Sequence, residues 1–313
     1  MPALAACGIR GADALRLKLA HGLDTNHPVH KAMVYMGEVL SEQSGGAMQL
    51  DIHPAGQLGA ERDLIELLQV GSIALTKVSA SPLESFAPAM KIFSVPYVFR
   101  DAAHFQRFLD SEHGRALLLS LEQVRLRGLA YYDAGSRSFY TTHQPVHTPA
   151  DLAGLKIRVQ KSKTSVQMIQ ALGAAATPIA WAELYTALQQ GIVDGAENNP
   201  PSFYLSRHFE VARYFSLDEH TFVPDVLMVS RHVWQSLSPP QQTWLQAAAD
   251  ASAQYERELW RVATQEAMAA VKSAGVEIIH PDKAAFRAAV EPMYAAWGGT
   301  PLGDLLSTIR GMP

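Results

Sequence analysis

Apolar and polar positions alternate first in "LRLKLAHGL", Leu15 to Leu23, which predicts a strand with one buried face. The stretch "DTNHPVHKAM" then supplies a turn and a helix start at Pro28, with helical spacing to about Leu40. "MQLDIHP" predicts a second strand, "GQLGAERDLIELLQVG" a loop running into an amphipathic helix stopped by Gly71, and "SIALTKVSA" a third strand. Such β-α-β-α-β units give a mostly parallel sheet covered by helices.

Past an apolar loop, "FSVPYVF", and two short helical patterns, "LRGLAYYDAGSRSFYTT" reads as one strand leaving a first domain. "LAGLKIRVQ" is a strand inside the next, where Leu155, Ile157 and Val159 alternate with Lys156, Arg158 and Gln160. "SKTSVQMIQALG" and "WAELYTALQQG" are helices closed by Gly173 and Gly191, and "IVDGAENN" is a short strand with a polar tip. "YFSLDEHTFVPDVLMVS" is a long, twice-bent extended segment able to pass back to the first domain. From Ser238 a helical composition continues to Gly275 and predicts a rod of about 50 Å, longer than one domain. "VEIIHP" is a last strand and "AAFRAAVEPMYAAWG" a last helix.

With 313 residues the chain fits two domains of about 150 residues each, so a cleft between domains is the place to look for a site. Residues 1–136 with about 226–250 are expected to form domain I and about 137–225 with 276–313 domain II, with a helix at 238–275 spanning both. A net charge of -4 gives no basic field for nucleic acid. The single cysteine, Cys7, rules out an internal disulfide. Its setting, "LAAC", resembles the end of a lipoprotein signal without an apolar stretch before it, and is read as a truncated leader ahead of a folded part starting near "ALRLKLAHGL".

The sequence holds no Walker loop, no Gly-rich dinucleotide turn, no nucleophile elbow and no HExxH, so no cofactor is expected. His27 and His30 in "HPVH", with His53, are the best metal candidates, but no carboxylate pair or thiolate accompanies them and no metal site is expected. Asp133, Asp194 and Glu197 lie at strand ends but form no base and nucleophile pair, and no catalytic residue is assigned.

What gathers at strand ends is a set of hydrogen-bond donors: Asn26, His27, Lys77, Ser79, Arg137, Arg158, Asn198 and His220. Ligands of open α/β sheets sit at those ends, so the donors point to an anionic, hydroxyl-rich ligand. Each also has a plain structural reading. Arg137 suits pairing with Asp133, Lys77 a solvated strand, Asn198 a strand end and His220 a hydrogen-bonded core histidine. Trp181 suits helix-start packing as well as narrowing a pocket.

Nearly the whole chain resembles the substrate-binding subunits of TRAP transporters, the DctP-like tripartite ATP-independent periplasmic importers. The most specific part is "LKIRVQ" followed by "GIVDGAENN", backed by "GQLGAERDLIELLQVGSIALTKVSASPLESFAP" and "SLDEHTFVPDVLMVS". The resemblance implies an α/β, two-domain periplasmic binding protein fold of type II-like organisation, with open mixed sheets joined by crossing strands and a long helix bracing both domains. It implies a monomeric, non-enzymatic protein, exported to the periplasm by a signal peptide, that passes an organic acid to TRAP membrane subunits. Arg158 resembles the arginine that grips the ligand carboxylate, Asn198 its companion, and Arg137 the second arginine of some members. "YYDAGSRSFY", "TKVSASPL" and "VDGAENN" look most like hexuronate binders, with Lys77, Ser79, Asn26, His27 and His220 on the hydroxyls. C4-dicarboxylates, aromatic acids and small hydroxy acids remain open. The reading from another class is an α/β enzyme acting on a sugar acid with Asp133 or Glu197 as base, and a third is a sensor module.

Overall fold

A computed structural model describes residues 14–313. The "LAAC" stretch and its leader reading lie outside the described residues. Among the described residues eleven strands form in chain order: β1 (Leu15–Ala20), β2 (Met48–His53), β3 (Leu75–Ser79), β4 (Leu126–Tyr132), β5 (Ser136–Thr141) and β6 (Lys156–Val159), then β7 (Ala175–Pro178), β8 (Gly195–Asn198), β9 (Tyr214–Phe222), β10 (Asp225–Ser230) and β11 (Glu277–Ile279). They build two mixed sheets, one in the order β2-β1-β3-β10-β4 and one in the order β11-β9-β5-β8-β6-β7. Among the described residues no helix is long and apolar enough to cross a membrane.

The parallel β1, β2 and β3 follow the expected β-α-β-α-β run, with β10 inserted antiparallel beside β3. The helix Pro28–Gln43 starts where the ring of His27 accepts the Val29 N–H and proline fills the first turn, the position where a missing N–H costs nothing. Its Val29, Ala32, Met33, Met36 and Leu40 are buried at helical spacing against β1.

The stretch read as one strand, "LRGLAYYDAGSRSFYTT", is two. β4 belongs to the first sheet and β5 to the second, with a break at Asp133–Gly135. Gly135 stands at φ +56°, and a Cβ there would meet Nε1 of Trp260 at 3.0 Å, so the turn needs glycine both for its backbone and for room. The return path pairs β9 with β5 and β10 with β4, both antiparallel, so two paired crossings join the sheets.

The helix Pro239–Ser273 opens where the Gln241 side chain accepts the Ser238 N–H, and runs 35 residues, about 52 Å at 1.5 Å per residue. It lies on the helix Pro28–Gln43 at one end and on the helix Pro200–Leu205 toward the other. Leu245, Ala249 and Trp260 enter the core under β1, while Val271 packs with Phe203 and Phe215 under the second sheet.

The C-terminal end departs from expectation. The helix expected at "AAFRAAVEPMYAAWG" is observed as Lys283–Ala295, but it is not the last one. A further helix, Pro301–Gly311, follows a Gly298-Gly299 break, and its Leu306 and Ile309 are buried in the core of the first sheet. Residues 276–313 therefore divide: β11 and Phe286 join the second sheet, and the final helix returns to the first. The helix expected at "WAELYTALQQG" begins as a 3-10 turn, Trp181–Glu183, before the α-helix Leu184–Gln189. β7, which carries no alternation, escapes a pattern reading because it is a short, half-exposed edge strand.

Candidate functional site

A cavity of about 60 Å³ lies between the sheets and is lined by His27, Lys77, Ser79, Arg137, Arg158 and Asn198 together with Glu61, Gln160, Trp181, Asp225 and Trp260. A second cavity of about 230 Å³ adjoins it, sharing Gly22, Glu61, Arg158, Gln160 and Trp181. Two contacts join the walls of the cleft. Ser79 Oγ donates to Gln160 Oε1 at 3.3 Å, and the Thr164 N–H donates to Glu84 Oε1 at 3.1 Å.

The two arginines of this cavity differ in what surrounds them. β5 pairs with β8 in the register Ser138↔Asn198, which puts Arg137 beside the acidic tip of "GAEN". Its Nε and Nη2 grip the Glu197 carboxylate, Nη2 also donates to the Glu197 carbonyl at 2.7 Å, and Nη1 donates to Asn198 Oδ1 at 2.8 Å. Every nitrogen of the guanidinium is thus engaged by protein. Burial opposes the Arg137 charge, but Glu197 outweighs it and holds the guanidinium above its ordinary range.

Arg158 is placed by β6, on the face opposite Ile157 and Val159, where it is buried although Lys156 on the same face is exposed. Its Nε donates to the Ile179 carbonyl at 2.9 Å, its guanidinium lies 5.9 Å from the Trp181 ring, and Nη1 has no hydrogen-bond partner among the described residues although Arg158 is only 3% exposed. Among the described residues no carboxylate comes within ion-pair distance of it. Burial, the largest influence, draws its pKa below the usual guanidinium range, opposite to Arg137. Arginine stays protonated even so, and the result is a buried positive charge whose outer edge is unsatisfied.

Donors converge around that edge. Asn198 Oδ1 accepts from Arg137 Nη1 and from the Asn199 N–H at 2.9 Å, which assigns the oxygen and leaves the amide NH2 for the cavity. His27 uses Nδ1 to accept the Val29 N–H, so Nε2 carries the hydrogen of the neutral ring, and that buried nitrogen also has no partner among the described residues. Burial, then Lys77, keeps His27 well below the ordinary histidine range and therefore neutral. Lys77 Nζ sits 2.7 Å from Asp225 and 3.9 Å from Glu61.

Two of the residues singled out in the sequence are not in the cavity. Asn26 is exposed, because the turn before the helix aims His27 inward and its neighbour at water. His220 is fully buried behind Glu197, with Nδ1 2.8 Å from Asp218 Oδ2 and Nε2 3.5 Å from Glu197 Oε2. It holds the carboxylate that holds Arg137, which is a supporting position. Glu61, Gln160, Asp225 and Trp260 line the cavity without having been singled out. Asp225 has a signal only in the pairing of β10 with β3, where it stands opposite Ser79.

The carboxylates considered as bases are occupied. Glu197 is bound to Arg137, Asp133 accepts from Gln106 and from the Gly135 N–H at 2.8 Å each, and Asp194 accepts the Lys156 N–H at 2.8 Å. His30 is not paired with His27; its Nδ1 lies 3.0 Å from His21 Nε2. Among the described residues no group of three or more His, Cys, Asp or Glu is arranged to hold a metal ion.

The buried cluster of Arg137, Glu197, His220 and Asp218 makes stability depend on pH. Burial works against the Glu197 charge, but Arg137 and His220 hold its pKa down to about 2, so its contribution is present above about 4.5 and lost as pH falls through about 2. Burial also works against charging His220, but Asp218 and Glu197 hold it up to about 9, so its contribution is complete below 6.5 and lost as pH rises through about 9. Both are complete between about 4.5 and 6.5. The His220 contribution is worth roughly 3 kcal/mol at 1.36 kcal/mol per pH unit. We expect the melting temperature to fall by several degrees between pH 6.5 and 9, and thermal melts of His220→Gln to lose that slope.

A family model described as DctP, bacterial extracellular solute-binding protein, family 7, matches residues 19–298. The C4-dicarboxylate-binding periplasmic protein DctP of Rhodobacter capsulatus is 30% identical over 297 residues, 94% of this chain and 86% of that protein. The crystal structure of a TRAP periplasmic solute-binding protein from a Bradyrhizobium species in complex with α/β-D-galacturonate superposes with a TM-score of 0.92 at 40% identity, covering 95% of this chain and 100% of that one. That of a TRAP periplasmic solute-binding protein from Pseudomonas putida with bound D-glucuronate gives 0.92 at 34% identity, covering 95% and 97%.

Proposed function

This chain belongs to family 7 of the bacterial extracellular solute-binding proteins, the DctP family, and we propose that the acid it captures is a hexuronate, gripped by its carboxylate at Arg158. The protein is a periplasmic solute-binding subunit of a TRAP transporter and not an enzyme; it works with the membrane subunits.

The observation that carries the reading is the buried guanidinium of Arg158, whose Nη1 has no hydrogen-bond partner among the described residues. With Nε committed to Ile179, the guanidinium offers Nη1 and Nη2 side by side, a two-pronged match to a carboxylate. The Asn198 amide and the Nε2–H of neutral His27 are further donors, while Lys77, Asp225 and Glu61 supply donor and acceptor groups suited to hydroxyls. Ser79, with its hydroxyl on Gln160, and Arg137, with its donors on Glu197 and Asn198, shape the wall and position Asn198. The galacturonate and glucuronate bound by structures of the same fold support the choice of a sugar acid.

Titration of the purified protein in a thermal-shift assay tests this. D-Galacturonate or D-glucuronate at about 100 times its Kd stabilises by about 2.7 kcal/mol, since ligand binds only the folded state. A strong response to succinate or an aromatic acid with none to either uronate would overturn the assignment.

A further inference from the structure

The charges that share the pocket with Arg158 define more than a hydroxyl site. Of the pocket's three cations, Arg137 is neutralised by Glu197 and Lys77 by Asp225 at 2.7 Å, which leaves only Arg158 free for an anion among the described residues. Glu61 faces the same space. Its Oε1 accepts the Ser79 N–H at 2.8 Å and lies 3.9 Å from Lys77, and its other oxygen has no hydrogen-bond partner among the described residues. We propose that Glu61 and Asp225 make this a receptor for monoacids, one that accepts aldouronic acids and rejects the aldaric acids that differ from them by a second carboxylate.

The inference rests on the hexuronate reading. A hydroxyl suits these groups because it can donate to Glu61 or Asp225 and accept from Lys77 at once. A second carboxylate can only accept. It would meet two carboxylates and one ammonium already paired, and like charges brought together in a dehydrated site cost several kcal/mol. Selection therefore works by attraction at Arg158 and repulsion at Glu61 and Asp225.

Calorimetric titration of D-galacturonate and galactarate against the wild-type protein, Asp225→Asn and Glu61→Gln tests it. The wild type is expected to bind galactarate at least about 100-fold more weakly than galacturonate. Asp225→Asn frees the Lys77 charge and Glu61→Gln removes a facing one, so each should narrow the ratio about tenfold or more. The two variants separate charge from the difference in shape between a ring and an open chain, and either suffices if the other fails to fold. Galactarate binding within about tenfold of galacturonate in the wild type, or a ratio unmoved in both variants, overturns the proposal and leaves the hexuronate reading standing. Absence of any hexuronate binding overturns both.

Discussion

Arg158→Ala is expected to lower hexuronate affinity by about 100-fold to 20,000-fold while leaving the unliganded protein as stable as the wild type or more so. Each charge-assisted hydrogen bond is worth roughly 1.5 to 3 kcal/mol, and the geometry offers two to one carboxylate, or roughly 3 to 6 kcal/mol in all. The stability half follows from what Arg158 lacks. It is 3% exposed, makes one hydrogen bond to Ile179 and carries a charge that no carboxylate among the described residues meets. Removing it relieves a buried, uncompensated cation. Arg158→Lys keeps a charge but loses the planar fork, so it too should bind much more weakly. Calorimetry and unliganded melting curves on the same preparations check both halves; near-normal affinity in either variant would remove Arg158 from the binding role.

Glu197→Ala is expected to do the reverse, destabilising the unliganded fold by about 3 to 5 kcal/mol in urea unfolding. Glu197 is 2% exposed and takes both prongs of Arg137, with His220 behind it. Its removal strands the buried Arg137 cation and leaves His220 with Asp218 alone. It also frees Arg137 to move, and with it the Asn198 oxygen that Arg137 holds. Replacing Arg137 and Glu197 together by apolar residues should cost less than the sum of the single changes, because neither charge is then left alone. A Glu197→Ala protein of unchanged stability would show that the carboxylate is not a structural partner and reopen it as a chemical group.

These opposite expectations for Arg158 and for the carboxylate partner of Arg137 mark where the sequence stops informing. Alternation in "LKIRVQ" gives the polar side of β6 but does not distinguish a cleft from solvent; the resemblance does. Arg137 and Arg158 look alike as strand residues, and only the β5–β8 register, set by pairing between distant segments, puts Glu197 against one of them. The pairing of β10 with β3 likewise brings Asp225 to Ser79 and Lys77. Asn26 and His27 are adjacent donors in a turn, and which one enters the pocket depends on the ring of His27 capping the helix. The long helix is legible from its capping serine, its prolines and its glycine stop, because these act locally. The split at Asp133–Gly135 does carry a local signal, an aspartate and a glycine followed by Ser136, but the close approach of Trp260 that makes glycine necessary there comes from more than a hundred residues away.

Carboxylate capture by Arg158 is decided by a crystal structure of the complex with D-galacturonate. The ligand carboxylate is expected on the Nη1–Nη2 edge of Arg158, with the Asn198 amide donating to it and the sugar hydroxyls toward Lys77, Glu61 and Asp225. A carboxylate seated at Lys77, with Arg158 turned to hydroxyls or to solvent, would refute it.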